Sequence, residues 1–169
     1  YLRISLTEKC NLRCTYCMPE DGIKLTEKDH LMSDNEVVFI AKQFIELGVN
    51  KIRLTGGEPL IKKNIEQIIR DLTALPISLS ISTNGILLDK YFDLLKECGV
   101  TDINISLDTL DKKKFNTITR RDYFDRVIQN INKYVESGFN VKINIVLIKK
   151  FNDNEIIDFI NYTKDKNIA

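Results

Sequence analysis

Residues 51–59 read Lys-Ile-Arg-Leu-Thr-Gly-Gly-Glu-Pro, a short alternating segment that runs directly into two glycines. Alternation of polar and apolar residues with period two is typical of a β-strand that buries one face. In α/β folds, ligands bind at the carboxyl ends of the strands, and glycine lets the backbone turn sharply and approach a ligand there. This stretch therefore predicts an α/β fold with a ligand site at one end of its sheet.

Helical patterns lie on both sides of this strand. Ser33-Asp-Asn-Glu36 forms a capping box, with serine at the N-cap and glutamate at N3, and predicts a helix that ends at Gly48. A second helical pattern covers residues 65–72 and is expected to end before Pro76. Three glycines each end a predicted helix and precede a predicted strand: Gly48, Gly99 and Gly138. The βα unit therefore repeats along the chain.

Five strands are predicted in all, over residues 2–6, 51–55, 77–82, 103–107 and 141–147, and the later predicted helices cover residues 88–98, 124–135 and 153–160. Strands that alternate with helices of this length specify a parallel sheet, either open or closed as a barrel. If this alternation of strands and helices continues, residues 167–169 are expected to begin a sixth strand. The chain also opens without Met, so we expect residues 1–169 to be one domain cut from a longer protein.

The composition indicates a globular protein with no charge bias. The 43% of hydrophobic residues suffice for a packed core, and 25 Lys and Arg against 24 Asp and Glu leave a net charge of +1. This balance argues against a nucleic-acid or membrane-surface partner. No apolar run approaches the roughly 18 residues of a membrane span, and the first residues lack a signal-peptide layout. A cytoplasmic location is therefore expected.

Three cysteines, Cys10, Cys14 and Cys17, lie within eight residues directly after the first strand. They belong to a segment without periodicity, residues 7–32, which we name the cysteine segment; long loops inside compact domains are usually functional. The spacing matches neither paired zinc ligands nor the ferredoxin run. Three thiolates on an iron–sulfur cluster would leave one iron open for chemistry. A zinc site completed by Cys98 or His30 is the alternative, although Cys98 suits core packing and His30 a loop surface.

Each predicted strand has one apolar and one polar face. The polar faces comprise Arg3, Ser5, Arg53, Thr55, Ser80, Ser82, Asn104, Ser106, Lys142 and Asn144. Helices are expected to cover the apolar faces, so the polar faces would line a wet concave cavity. Convergence of Arg3, Arg53 and Lys142 would suit an anionic ligand such as a phosphate chain. The alternative is that these cations are solvated or paired with Asp108 and Glu58.

The cysteine motif, with Tyr16 before its third cysteine, resembles the signature of the radical S-adenosylmethionine (SAM) superfamily. Further motifs resemble the GTP 3′,8-cyclase family of molybdenum cofactor biosynthesis: residues 1–5, Cys17-Met-Pro-Glu-Asp-Gly22, Ile52-Arg-Leu-Thr-Gly-Gly-Glu-Pro59, Ser82-Thr-Asn-Gly85, Asn104-Ile-Ser-Leu-Asp108, Val141-Lys-Ile-Asn144 and Asn152-Asp153. The resemblance implies an incomplete TIM-type (βα)6 barrel, of which about five βα units are present in this chain.

The resemblance also implies a lyase that uses a 4Fe-4S cluster and SAM. In that family an electron donor reduces the cluster, SAM is cleaved to a 5′-deoxyadenosyl radical, and a ribose hydrogen is taken from GTP. C3′ then attacks C8, which gives (8S)-3′,8-cyclo-7,8-dihydroguanosine 5′-triphosphate. Carried over by motif, Cys10, Cys14 and Cys17 hold the cluster, Tyr16, Gly57 and Ser106 contact SAM, and Arg3, Arg53, Thr83 and Lys142 contact GTP.

The chain departs from the family in one respect. Family members hold a second 4Fe-4S cluster on three further cysteines in a C-terminal region, and these 169 residues contain no such set. We therefore expect one cluster and no complete cyclisation by this chain alone, with the oligomeric state, a homodimer included, left open. Two other functions are kept as alternatives: a peptide-modifying radical SAM enzyme, which would lack the three cations, and a non-enzymatic zinc-binding domain.

Overall fold

The computed structural model describes residues 1–164, 166 and 168–169, with Lys28 described by its backbone. Five strands form one parallel sheet in chain order: β1 (Leu2–Ser5), β2 (Lys51–Thr55), β3 (Ser78–Thr83), β4 (Asp102–Ser106) and β5 (Asn140–Asn144). The α-helices are α1 (Asp34–Glu46), α2 (Ile65–Thr73), α3 (Phe92–Glu97), α4 (Lys112–Thr119), α5 (Phe124–Glu136) and α6 (Ile156–Lys164). Short 3-10 turns lie at Lys28–His30, Pro59–Ile61 and Asp153–Glu155. The α/β fold with a parallel sheet is thereby confirmed.

Helix α1 begins at the predicted capping box. The Ser33 hydroxyl accepts a hydrogen bond from the Glu36 backbone N–H, and the Glu36 carboxylate accepts one from the Ser33 N–H at 2.8 Å. Two of the donors that a helix start leaves unpaired are thus satisfied. At the other end, Gly48 adopts a left-handed backbone with φ of 91°. Both predicted boundaries of α1 are confirmed to within two residues.

The core lies between the apolar face of the sheet and the helices. The fully buried strand residues at its centre are Ile52, Leu54, Ile81, Ile103 and Ile105. Each such side chain contributes about 1.5–3 kcal/mol when it leaves water. The opposite face carries the predicted polar residues, among them the half-buried Arg53 and the exposed Ser106. The alternation therefore predicted both faces correctly.

Four elements differ from prediction. The last helix, α6, covers Ile156–Lys164 rather than residues 153–160, because Asp153–Glu155 form a 3-10 turn before it. Helix α4 was not predicted; it begins at Lys112, and its N-cap is Asp111, whose carboxylate accepts a hydrogen bond from the Lys114 N–H at 2.9 Å. Helix α3 begins at Phe92 rather than at residue 88. Strand β5 ends at Asn144 rather than at residue 147, because beyond it the chain turns toward Asp108, which accepts a hydrogen bond from the Val146 N–H.

The end of the chain runs beside β5. The Ala169 N–H donates to the Val141 carbonyl at 3.1 Å, and the Ala169 carbonyl accepts from the Ile143 N–H at 2.9 Å. This exchange with residues two apart is the parallel ladder pattern. Of the predicted sixth-strand start, Asn167 lies outside the described residues. Within the described part of the chain, no helix is long and apolar enough to cross a membrane; the cytoplasmic location stays a prediction.

Candidate functional site

A cavity of about 400 Å³ lies at the carboxyl ends of the strands. Eight of the ten predicted site residues line it: Arg3, Cys10, Cys14, Tyr16, Cys17, Gly57, Thr83 and Ser106. The other two, Arg53 and Lys142, lie on the same face of the sheet but outside this lining. A larger cleft of about 870 Å³, lined by Lys62 and Tyr91 among others, contains none of the predicted residues. The smaller cavity is therefore the candidate site.

The three thiols of the cysteine segment line the cavity. None of them forms a disulfide, and the N–H groups of Cys17 and Met18 both donate to the Cys14 carbonyl, at 3.2 and 2.9 Å. Burial, with the charges of Cys17 and Asp108 beside it, raises the pKa of the Cys14 thiol to about 12. Burial likewise raises the pKa of Cys10. A bound metal stabilises thiolates, so this donor set suits a metal group.

The arrangement favours a cluster over a single ion. Within the described residues, no three His, Cys, Asp or Glu side chains come close enough to hold one metal ion. Structural zinc needs four ligands on one ion, whereas an iron–sulfur cluster takes each thiolate on a different iron. Neither His30 nor Cys98 lines the cavity, and Cys98 instead packs against the core. The three thiols, with neither Cys98 nor His30 in the same lining, therefore suit an iron–sulfur cluster better than a four-ligand zinc site.

The glycine turn after β2 holds the start of the cysteine segment. The Gly57 N–H donates to the Thr7 carbonyl at 2.6 Å, and the Glu58 N–H donates to the Lys9 carbonyl at 2.8 Å. A Cβ on Gly57 would lie 2.3 Å from the Lys9 carbonyl oxygen, a distance that backbone atoms cannot accommodate. Glycine is therefore required here for the close approach of two backbones rather than for a left-handed conformation.

Glu58 was not predicted as a site residue, yet it joins two of the strand ends that line the cavity. Its carboxylate is fully buried and accepts hydrogen bonds from the Thr83 hydroxyl at 2.8 Å and from the Asn84 N–H at 2.7 Å. Burial raises the pKa of Glu58, and these hydrogen bonds oppose that rise. Glu58 is thus bound to neutral donors, contrary to the alternative in which it pairs with a cation.

Tyr16 is held over the cavity by Asp108. The Tyr16 hydroxyl donates to Asp108 Oδ2 at 2.7 Å, while Asp108 Oδ1 accepts from the Val146 N–H at 2.8 Å. Burial, and after it the hydrogen bond to Asp108, raises the pKa of Tyr16, so the hydroxyl stays a donor. Asp108 thereby ties the cysteine segment to the ends of β4 and β5.

The three predicted cations share one face of the sheet. Arg3 on β1 lies next to Arg53 on β2, which lies next to Ser80 on β3. Lys142 on β5 lies next to Asn104 on β4. The Arg53 Nε–H donates to Ser80 Oγ at 3.3 Å. In the part of the chain that the structure describes, none of the three cations forms an ion pair with a carboxylate. Their charges are therefore available to a ligand.

Two neighbouring hydroxyls at the end of β3 differ in their hydrogen bonding. The Thr83 hydroxyl is buried and donates to Glu58, whereas Ser82 Oγ lines the cavity side and is buried without a hydrogen-bonding partner among the described residues. The assignment of Thr83 to GTP stays a prediction. Strand parity could have pointed to Ser82, because it shares the polar face with Ser80 and Thr83 does not.

Comparison with known proteins shows the family to which this chain belongs. The Radical SAM superfamily matches residues 4–163, and the chain belongs to this superfamily. It is 53% identical over 171 residues to the protein named "GTP 3′,8-cyclase, mitochondrial" of Arabidopsis thaliana, and 46% identical over 171 residues to "GTP 3′,8-cyclase" of Listeria monocytogenes. It is 47% identical over 167 residues to "Molybdenum cofactor biosynthesis protein 1" of Homo sapiens. The resemblance stated from the motifs is confirmed.

These matches cover 97–99% of this chain but 44%, 51% and 26% of the three relatives. The chain thus spans about half the length, or less, of the curated relatives that it matches. Among solved structures, Streptococcus suis SuiB bound to S-adenosylmethionine has a TM-score of 0.81 at 25% identity, over 99% of this chain and 37% of that chain. A structure of anSMEcpe with bound AdoMet has a TM-score of 0.75 at 20% identity, over 99% and 49%. Together they confirm the partial-barrel fold of radical SAM enzymes.

Proposed function

We propose that this chain carries the cluster site, the SAM site and part of the GTP site of a GTP 3′,8-cyclase that acts in molybdenum cofactor biosynthesis. The observation that carries the proposal is the cavity lined by three thiols, a glycine turn and Arg3, with Arg53 and Lys142 on the same face of the sheet. Identities of 46–53% over almost the whole chain to proteins with that name support the substrate. The 25% identity to SuiB gives less support to the peptide-modifying alternative.

The cysteine thiolates of residues 10, 14 and 17 would each hold one iron of a 4Fe-4S cluster, with the fourth iron left for SAM. When bound and reduced by an electron donor, this cluster together with SAM supplies a radical able to take a hydrogen atom from a ribose carbon. The chain's own part is to bind and to orient. The Asp108 carboxylate fixes the Tyr16 ring beside the thiols through the hydrogen bond to its hydroxyl.

SAM is assigned to the side of the cavity formed by Tyr16, Gly57 and Ser106. Because Gly57 has no side chain, its backbone approaches the cysteine segment closely enough for one ligand to touch both. The Ser106 hydroxyl is exposed at the end of β4, where a polar ligand can bond to it. These three positions line the same cavity as the thiols, so a ligand of the open iron would lie within reach of them.

GTP is assigned to the polar face of the sheet. A triphosphate carries several negative charges, and Arg3, Arg53 and Lys142 offer three cations that form no ion pair with a carboxylate among the described residues. Ser82 adds a buried hydroxyl between them, whose hydrogen-bonding capacity a ligand would satisfy. The phosphates would thus lie toward the cations and the ribose toward the thiols.

The test has two readouts on the anaerobically reconstituted chain. Reduction with dithionite in the presence of SAM should yield 5′-deoxyadenosine, and equilibrium dialysis should show GTP binding. Arg53→Ala should weaken GTP binding about tenfold, as expected when one charged donor is lost. Lys96→Ala, which removes an exposed cation from α3 on the helical side, is the matched control and should bind GTP normally. Cleavage of SAM without GTP binding would contradict the substrate and favour another radical SAM activity.

A further inference from the structure

Arg120 has an unusual backbone for its residue type. It ends α4 in a left-handed conformation, with φ of 54° and ψ of 31°. The helices α1, α3 and α5 are followed by glycine in that region, at Gly48, Gly99 and Gly138, with φ of 91°, 66° and 81°. Side chains make this conformation unfavourable, which is why glycine is usual there. An arginine kept at such a position points to a use for its side chain.

The Arg120 guanidinium reaches across to the cysteine segment. Its Nη1 donates to the Arg13 carbonyl at 3.1 Å and to the Met18 carbonyl at 3.2 Å. These two carbonyls flank residues 14–17, which contain two of the three predicted cluster ligands and Tyr16. One guanidinium therefore bridges both ends of the turn that presents the thiols.

The end of α4 supports the same turn through its backbone. The Thr119 carbonyl accepts from the Arg13 N–H at 3.0 Å, and the Ile118 carbonyl accepts from the Thr15 N–H at 2.8 Å. Phe115 and Ile118 are buried and fix α4 on the core side of this contact. The turn thus donates hydrogen bonds to carbonyls of α4 and accepts hydrogen bonds from Arg120 at the end of the same helix.

We propose that Arg120 is a positioning residue that holds residues 14–17 in the shape that binds the cluster, an inference that rests on the proposed function. By binding both carbonyls, the guanidinium keeps Cys14 and Cys17 at a fixed separation. It also places a permanent positive charge next to a site that becomes more negative on reduction. Arg120 therefore slows release of the cluster and raises its midpoint potential.

The other arginines of this region cannot do the same. The Arg13 guanidinium bonds to the carbonyls of Cys10 and Leu12, at 2.7 and 2.9 Å, and so connects the cysteine segment only to itself. Arg121 is exposed, and its guanidinium donates to the Arg120 carbonyl at 2.8 Å. Arg121 is therefore a matched control of the same residue type, one position along the chain.

The test compares Arg120→Gly, Arg120→Lys and Arg121→Gly with the unaltered chain. Glycine at position 120 adopts the left-handed backbone without strain but removes the whole side chain and its two hydrogen bonds; because these two effects on stability oppose each other, the melting temperature of the iron-free chain should change little. After reconstitution, Arg120→Gly should release iron to a ferrous chelator about tenfold faster, the effect of losing a hydrogen bond from a charged donor. Its midpoint potential should be more negative. Arg120→Lys should restore the potential, and Arg121→Gly should behave as the unaltered chain.

The outcomes separate this inference from the proposed function. If the unaltered chain holds no iron, the proposed function is wrong and the role of Arg120 is wrong with it. If the unaltered chain holds iron and Arg120→Gly releases it at the same rate with the same potential, the role of Arg120 alone is overturned. A melting temperature that falls in Arg120→Gly, with no change of potential, would make the residue a structural brace and would also overturn the proposal.

Discussion

The sheet and the cysteine segment are built in different ways. Each strand of the sheet is paired in register with its neighbours, and its buried residues, such as Ile52 and Ile103, follow from local alternation. The cysteine segment has one short 3-10 turn at Lys28–His30 and is otherwise irregular among the described residues. Its shape comes from partners far along the chain, including Gly57 and Asp108. The three thiols thus lie in the region with the least regular secondary structure.

The largest expected effect comes from the centre of the sheet, because both regions depend on it. Ile103→Ala removes most of a fully buried side chain from β4 and should lower the free energy of unfolding by about 2–5 kcal/mol in urea titration. The matched control is Ser106→Ala, an exposed position on the same strand, which should change that free energy by less than about 0.5 kcal/mol. Equal losses in the two variants would contradict the assignment of the two faces.

A smaller effect should separate the two regions. In Gly57→Ala the new Cβ meets the backbone of Lys9, so the cysteine segment must move, at a cost of about 1–3 kcal/mol. Iron bound after reconstitution should fall sharply. Gly99→Ala is the control: its Cβ meets no atom within 4 Å, so only its left-handed φ of 66° is strained, by roughly 1–2 kcal/mol. If both variants keep their iron equally, the close approach at Gly57 has no role in the site.

Substitutions of Ser82 and Thr83, adjacent residues of β3, test which of the two hydroxyls contributes to GTP binding and which to stability. Thr83→Val removes a hydroxyl that donates to the buried Glu58, and should cost about 1–3 kcal/mol of stability while GTP binding persists. Ser82→Ala should leave stability almost unchanged and weaken GTP binding several-fold. Urea titration and equilibrium dialysis on both variants measure the two effects. The reverse pattern would favour Thr83 over Ser82 as the GTP contact.

The smallest effect is expected at the opposite, amino end of the sheet, far from the thiols. A hydrogen bond from Lys51, 2.9 Å away, is the main cause that holds the pKa of Asp102 below its ordinary value. The resulting stability is present above the unfolded pKa, about 3.9, and is lost as pH falls through the folded pKa. Lys51→Met should therefore lower stability by about 0.5–1 kcal/mol at pH 7, and the difference should shrink toward pH 3. Its iron content should be normal, and a loss of iron would show coupling between the two ends.

Periodicity and capping motifs correctly predicted the parts of the molecule whose structure depends on residues close in the sequence. The strand faces follow from period two, and the start of α1 follows from the capping box of Ser33 and Glu36, so both were predicted correctly. Helix α4 was missed because Lys112–Lys114 precede only two core residues, Phe115 and Ile118, which is too short a pattern to identify a helix.

The features that the sequence did not predict are contacts between distant parts of the chain. The carboxylate of Glu58 and the guanidinium of Arg120 act on residues 25 and more than 100 positions away, which no spacing in the sequence reveals. The assignment of Thr83 to GTP came from the motif and stays a prediction; the hydrogen bond from its hydroxyl to the buried Glu58 is a contact that the motif does not reveal. The cavity and its three thiols were nonetheless predicted, because they lie at strand ends that the repeat itself locates.

The central claim is that Cys10, Cys14 and Cys17 hold an iron–sulfur cluster. Iron and acid-labile sulfide should be measured after anaerobic reconstitution of the unaltered chain and of Cys14→Ala. About four of each per chain, lost in the variant, is the result expected for one 4Fe-4S site. Zinc in place of iron, no metal, or the same iron content in Cys14→Ala would contradict the claim.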